Sequence, residues 1–137
     1  MDSVYDIMTD LEMPLIMHAG DYRYDFSGPQ RILNLHKKHP KLTLIAAHFG
    51  GYTEWEESMK YLVGQDIYFD TSSTLEWLAL DKANEMIRKH GVEKFLFASD
   101  FPMWDHEEEL ERFMKLDLTN EEREMIFHKN AERLLKL

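Results

Sequence analysis

Apolar positions along the chain follow two alternating rhythms. Val4, Ile7, Met8 and Leu11 recur at three- and four-residue spacing, the stripe of an amphipathic helix, with Ser3 placed as its N-cap. After Pro14 the pattern contracts to the short run LIM, which ends at His18. Ser27-Gly28-Pro29 reads as a helix start, and Ile32, Leu33 and Leu35 face a core until Pro40 stops the helix. The run LTLIAA then ends at His48. Thr53 opens another helical segment carrying Trp55, Met59, Tyr61 and Leu62, closed at Gly64. IYFD reaches Asp70, and Leu75 to His90 is helical in pattern with a break near Asp81 and Gly91 in the capping place. FLFAS leads to Asp100. Leu110, Phe113 and Met114, then Glu121 onward through Met125, Ile126, Leu134 and Leu135, return to helical spacing.

The order is one helix, then strand and helix four times over, then a closing helix. Near-continuous apolar strands alternating with helices predict an α/β fold with a parallel sheet. Two architectures compete. A doubly wound open sheet fits a chain of 137 residues, whereas a (β/α)₈ barrel needs about 250, so this chain equals about half of one. Length alone favours the open sheet. The whole chain, residues 1–137, reads as one domain, which at this size buries roughly 70% of its unfolded surface.

Composition narrows the function classes. A hydrophobic share of 44% and a charged share of 31% describe an ordinary globular protein. With no cysteine, disulfides, thiolate metal sites and a cysteine nucleophile are excluded. No apolar run approaches the ~18 residues of a membrane span, the N-terminus lacks a signal pattern, and a cytoplasmic location is expected. The formal charge of −10 opposes binding to nucleic acid, which needs clustered positive charge, and a membrane partner is not expected either. The acidic stretches EWEES, HEEELE and NEERE read as solvated helix faces.

The four strands share one property: each leads to a residue that chemistry can use, namely His18, His48, Asp70 and Asp100. In parallel α/β folds the C-terminal strand ends converge on the active site. Imidazole nitrogens with a carboxylate oxygen form a ligand set suited to zinc and related divalent ions. His18, His48 and Asp100 lead as site residues; Asp70, in DTSST, reads first as a residue that caps the turn or supports its neighbours. Gly20 and the glycines after His48 give the turns room. His36 and His39 read as exposed residues before a proline stop, and His90, His106 and His128 as surface residues. The tryptophans and methionines read first as packing. The loop from His18 to Pro29 is long for its type and carries Tyr22 and Arg23. Arg23 is placed either to clamp a substrate carboxylate or to pair with Asp21 or Asp25. FPMWD, beyond Asp100, is expected to wall the same mouth.

The stretches HAGDYRYDFSGPQRI, LIAAHFGGYTEW, IYFDTSS, FLFASDFPMW and FHKNAERLLKL together resemble the amidohydrolase superfamily, nearest its amidohydrolase-related branch of metal-dependent TIM-barrel enzymes. The resemblance runs over nearly the whole chain, with the motifs in the family's order. It implies the C-terminal half of a barrel, strands five to eight with their helices. It implies that His18 is a metal ligand, that His48 binds a second metal or polarises substrate, and that Asp100 binds metal and handles the proton of the metal-bound water. The implied cofactor is a divalent metal, zinc first and manganese second. Substrate contacts are expected from Arg23, Tyr22 and Asp70.

One departure stands out. The family's H-x-H pair lies on strand one, and no H-x-H occurs in this sequence. Without it His18, His48 and Asp100 must make up the shell, with His48 and Asp100 also serving catalysis. A half barrel also leaves two sheet edges open and one strand face uncovered. Self-association, or pairing with a separate N-terminal half, is therefore expected. The leading expectation is a metal-dependent hydrolase acting on a small carboxylate-bearing or aromatic substrate. Its alternatives are a non-oxidative decarboxylase of a small aromatic acid and a non-catalytic metal-binding or assembly module.

Overall fold

A computed structural model describes residues 2–137. Four short strands form its sheet: β1 (Leu15–Met17), β2 (Leu44–Ala46), β3 (Tyr68–Asp70) and β4 (Phe95–Leu96). Every neighbouring pair is parallel, and the spatial order is β1-β2-β3-β4. A doubly wound sheet reverses its strand order at a switch point. This sheet does not reverse, and each strand is followed by a helix, so the architecture is that of half a (β/α)₈ barrel.

The helices are α1 (Asp2–Asp10), α2 (Pro29–Lys38), α3 (Trp55–Tyr61), α4 (Leu80–His90), α5 (His106–Phe113), α6 (Asn120–Glu124) and α7 (Asn130–Leu135). Pro29 opens α2 with its ring at the first turn, where no N–H is needed. Gly91 ends α4 at φ 108°, a conformation that suits glycine. Asp105 caps α5 and Thr119 caps α6 through a reciprocal box with Glu122. Among the described residues no helix is long and apolar enough to cross a membrane.

The core lies between the sheet and its helices. Leu44, Ala46, Phe69 and Phe95 from the strands meet Ile32, Leu33, Met86 and Ile87 from α2 and α4, all nearly closed to solvent. The opposite face of β1 is uncovered: Ile16 is 63% exposed between two half-buried neighbours.

The closing helix makes an unusual contribution. Between α6 and α7 the chain widens into a π-turn over Met125–Lys129. There the Ile126 carbonyl accepts the Phe97 N–H at 2.9 Å, just beyond β4. Asn130 Nδ2 donates to the carbonyls of Val92 and Phe95 at 2.9 and 2.8 Å, and Arg133 donates to that of Glu93. The NAERLL stretch thus fastens the last strand to the end of the chain.

Several expectations are corrected. Ser3 lies inside α1, which begins at Asp2, so it is not the N-cap. The helix expected from Leu75 begins only at Leu80; before it, Thr74 Oγ1 donates to the Ser72 carbonyl, a local bond that competes with helix. His90 is not a surface residue but 5% exposed, its ring stacked 4.0 Å from that of Phe69. His36 and His39 are half-buried, with His39 edge-on to Tyr5 and near Asp2. Glu109 of HEEELE is buried against Arg112, which also pairs with Glu76.

Candidate functional site

The four expected site residues stand at different depths relative to the strands. Asp70 is the last residue of β3, His18 directly follows β1, His48 comes two residues after β2, and Asp100 four after β4. All four reach the same end of the sheet. His48 and Asp100 get there by left-handed backbone, at φ 62° and 60°, as does Ser73 at 48°. Each non-glycine residue held there costs about 1 to 2 kcal/mol, so the surrounding contacts must fix these turns.

Those contacts are visible around His48. The chain folds back through Gly50 at φ 71°, where an added Cβ would stand 2.6 Å from the Phe69 ring. Gly20, after His18, lies so close to Tyr52 that an added Cβ would come 2.5 Å from the Tyr52 carbonyl. This approach lets the Tyr52 N–H donate to the Ala19 carbonyl, tying the turn after β1 to the turn after β2. Trp55 Nε1 donates to the His48 carbonyl, and the Phe49 N–H donates to that of Asp70.

A cavity of about 270 Å³ opens at this end, lined by His18, His48 and Asp100 together with Asp21, Arg23, Tyr52, Ser73, Met103 and Trp104. A second hollow on the uncovered strand face shares His18, His48 and Asp100 and adds Asp70 and Ser72. The three leading residues therefore border both spaces. His48 Nε2 and His18 Nδ1 are 3.0 Å apart, with the rings edge-on. Asp100 Oδ2 accepts the Ser73 hydroxyl at 2.8 Å, and Ser73 Oγ accepts the Trp104 indole N–H at 2.8 Å. Tyr52, Trp77 and Trp104 form a run of edge-to-face rings leading away from the histidines.

The other expected residues fare differently. Asp70 is 3% exposed, and its Oδ1 accepts the His48 N–H, the Ser72 N–H and the Ser72 hydroxyl. It is occupied in supporting its neighbours. Arg23 lines the cavity, yet its Nε and Nη2 are both engaged by the Asp21 carboxylate at 2.9 and 2.7 Å. That guanidinium holds the Asp21 carboxyl down at about 2. Tyr22 is 74% exposed and stands outside the cavity lining. Met103 and Trp104 of FPMWD do line it.

The resemblance implies a divalent metal. Two imidazole nitrogens 3.0 Å apart fit neighbouring ligands of one ion, given metal–nitrogen distances of about 2.1 Å. Among the described residues, however, no group of three or more histidine, aspartate or glutamate side chains gathers closely enough to hold an ion. His18 and His48 are thus the two side chains of the expected set that stand close together.

Ser72, Ser73 and Tyr52 were not legible as site residues. The only signal for the serines is the run of small hydroxyl residues after IYFD; Tyr52 had none, because its position depends on the Gly20 approach.

The model of the family described as Amidohydrolase matches residues 1–137. A decarboxylase, orsB, from Emericella nidulans is 28% identical over 97 residues, covering 68% of this chain and 28% of that protein. An uncharacterized TIM-barrel protein from Bordetella bronchiseptica superposes with a TM-score of 0.77 at 23% identity, over 98% of this chain and 50% of that one. A dihydroxybenzoic acid decarboxylase from Polaromonas sp. JS666, solved with bound manganese and 2-nitroresorcinol, gives 0.72 at 18% identity, over 98% of this chain and 53% of that one. The chain thus spans about half the length of these barrels and under a third of the curated relative.

Proposed function

The chain belongs to the amidohydrolase family, and from that membership we propose that it supplies half of a metal-dependent active site that decarboxylates a small aromatic acid. The observation that carries the reading is the convergence of His18 Nδ1 and His48 Nε2, 3.0 Å apart, at a cavity that Asp100 also lines. The decarboxylase relative and the aromatic walls of Tyr52 and Trp104 favour this reaction over the hydrolysis expected first.

His18 and His48 would hold a divalent ion, zinc or manganese. Asp100, which does not gather with them closely enough in this structure, would have to turn toward them to serve as a third donor, and the remaining donors would come from four further strands. A bound divalent ion supplies a Lewis acid that grips substrate oxygens, or a water made acidic near neutral pH. The protein's own groups do the rest. Tyr52 and Trp104 offer edges and faces against which a planar ring packs. In decarboxylation the bond between ring and carboxyl carbon breaks, carbon dioxide leaves, and the ring carbon takes a proton. That proton would reach the ring carbon from water through Asp100, since the outward nitrogen of His48 is the one that would face the ion. Hydrolysis remains the second reading, favoured by Asp100, whose exposed carboxylate suits the general base for an attacking water. With Nε and Nη2 on Asp21, Arg23 could offer a substrate carboxylate its Nη1, and the Nε–Nη2 fork only by leaving Asp21.

The four further strands would close the open edges of β1 and β4 and cover Ile16. Because this chain superposes on only about half of each similar barrel, a complementary half of different sequence is proposed in preference to a second copy. Light scattering on the purified chain tests this: a stable homodimer would favour the second copy instead.

The reaction is tested with this chain assembled with the four further strands and carrying bound manganese or zinc, incubated with a panel of hydroxybenzoates while carbon dioxide release is followed. Release from at least one substrate, abolished by His48→Ala, is expected. Metal-loaded protein that cleaves esters or amides but releases no carbon dioxide would overturn decarboxylation in favour of hydrolysis.

A further inference from the structure

We propose that Asp70 and Ser72 are positioning residues that lock His48 in the tautomer protonated at Nδ1, so that a bare Nε2 lone pair faces His18 and the cavity. The inference concerns the resting chain and does not rest on the reaction proposed above.

Counting protons leads to it. Asp70 Oδ1 accepts three hydrogens, and the shortest bond, 2.6 Å, comes from the Ser72 hydroxyl. A serine hydroxyl has one proton to give. With that proton directed to Asp70, Ser72 Oγ can only accept from its other neighbour, His48 Nδ1, at 2.9 Å. The Ser72 carbonyl, 3.1 Å from the same nitrogen, can only accept as well. Both partners of Nδ1 are therefore acceptors, and Nδ1 must carry the hydrogen. A neutral imidazole has one N–H, which leaves Nε2 unprotonated.

The arrangement also fixes the ring's orientation. The same Asp70 oxygen that holds the Ser72 hydroxyl also holds the His48 N–H at 2.9 Å. One carboxylate therefore sets both the left-handed backbone of His48 and, through Ser72, the proton on its ring. His48 is 6% exposed and Ser72 2%, so water has little access to these bonds. His18 Nδ1, 3.0 Å from Nε2, faces a lone pair: it either donates a hydrogen to it or shares an ion with it. A metal-binding histidine commonly has its other nitrogen fixed in this way, and here the fixing group is a hydroxyl whose own proton is committed elsewhere.

The test is spectroscopic. Chelator-treated, ¹⁵N-labelled protein at mildly alkaline pH gives long-range proton–nitrogen correlations for its seven histidines, and His48→Gln identifies the His48 signals by their loss. A pyrrole-like Nδ1 and a pyridine-like Nε2 are expected for His48. A proton on Nε2, or the averaged shifts of a freely exchanging imidazole, would overturn the proposal. Ser72→Ala and Asp70→Ala should each move the His48 shifts toward the averaged pattern, and Ser72→Thr should keep the original one. If both alanine variants fold and leave the shifts in place, the positioning role falls. If neither folds, the unmodified spectrum still decides the tautomer, and an unchanged tautomer in Ser72→Thr combined with exchange broadening in Ser72→Cys, a weaker acceptor, decides the role.

Discussion

Ser73 Oγ donates its proton to Asp100 Oδ2 at 2.8 Å while it accepts the indole N–H of Trp104, also at 2.8 Å. The turn after β3 thus orients a carboxylate that follows β4. Were Asp100 to take the metal-binding role proposed above, such orientation would be worth roughly 10- to 100-fold in affinity. Ser73→Ala should weaken binding of zinc or manganese by about 10-fold in titration calorimetry. Trp104 fluorescence should shift at the same time, since the indole loses its acceptor.

His18→Ala removes one of the two converging nitrogens. Metal analysis of protein purified without chelator should show the divalent metal carried by the unaltered chain lost in this variant. Equal metal content in both would remove His18 from the ligand set.

Burial at His90 makes a different forecast. Desolvation pushes the ring down from its ordinary value to about 4, while its Nδ1 accepts the Gly64 N–H and its Nε2 donates to the Ile67 carbonyl. The unfolded chain therefore binds this proton more readily than the folded one. The neutral ring's contribution is fully present above about pH 6.5 and is lost as pH falls toward about 4, at most about 3 kcal/mol. Urea denaturation at a series of pH values should show stability declining across that window. His90→Gln should be less stable at pH 7 and show a shallower decline.

Asn130→Ala should be among the costlier single changes outside the site. It leaves the carbonyls of Val92 and Phe95 without their amide donor in a position that is fully buried. A loss of about 2 to 4 kcal/mol is expected from chemical denaturation. Hydrogen exchange at the Phe97 amide, which is bonded to the Ile126 carbonyl, should quicken.

The sequence was most readable where one residue's chemistry decided the outcome. Near-continuous apolar runs and stripes of period 3.6 placed the four strands and most helices, and Pro29 and Gly91 marked boundaries in the expected places. The strand ends at His18, His48 and Asp100 were legible because polar groups interrupt apolar runs there. What escaped depended on contacts between distant segments. His90 looked like a surface residue because its helix end is polar, yet it stacks on Phe69 of β3. Arg23 kept two readings until the geometry of its fork on Asp21 was available. Ser72 and Ser73 looked like turn residues, and no local pattern tells which hydroxyl will face an imidazole and which a carboxylate.

The widened turn at Met125–Lys129 has a consequence for how this protein tolerates change. One surplus residue there rotates everything beyond it by about 100° around the helix axis. That rotation aims Asn130 and Arg133 at the segment before β4. Deleting a single residue from the turn would restore uniform helical winding and improve the helix by every local measure, while swinging both side chains off their targets. In this chain, regularity gained at the closing helix would be strand anchorage lost.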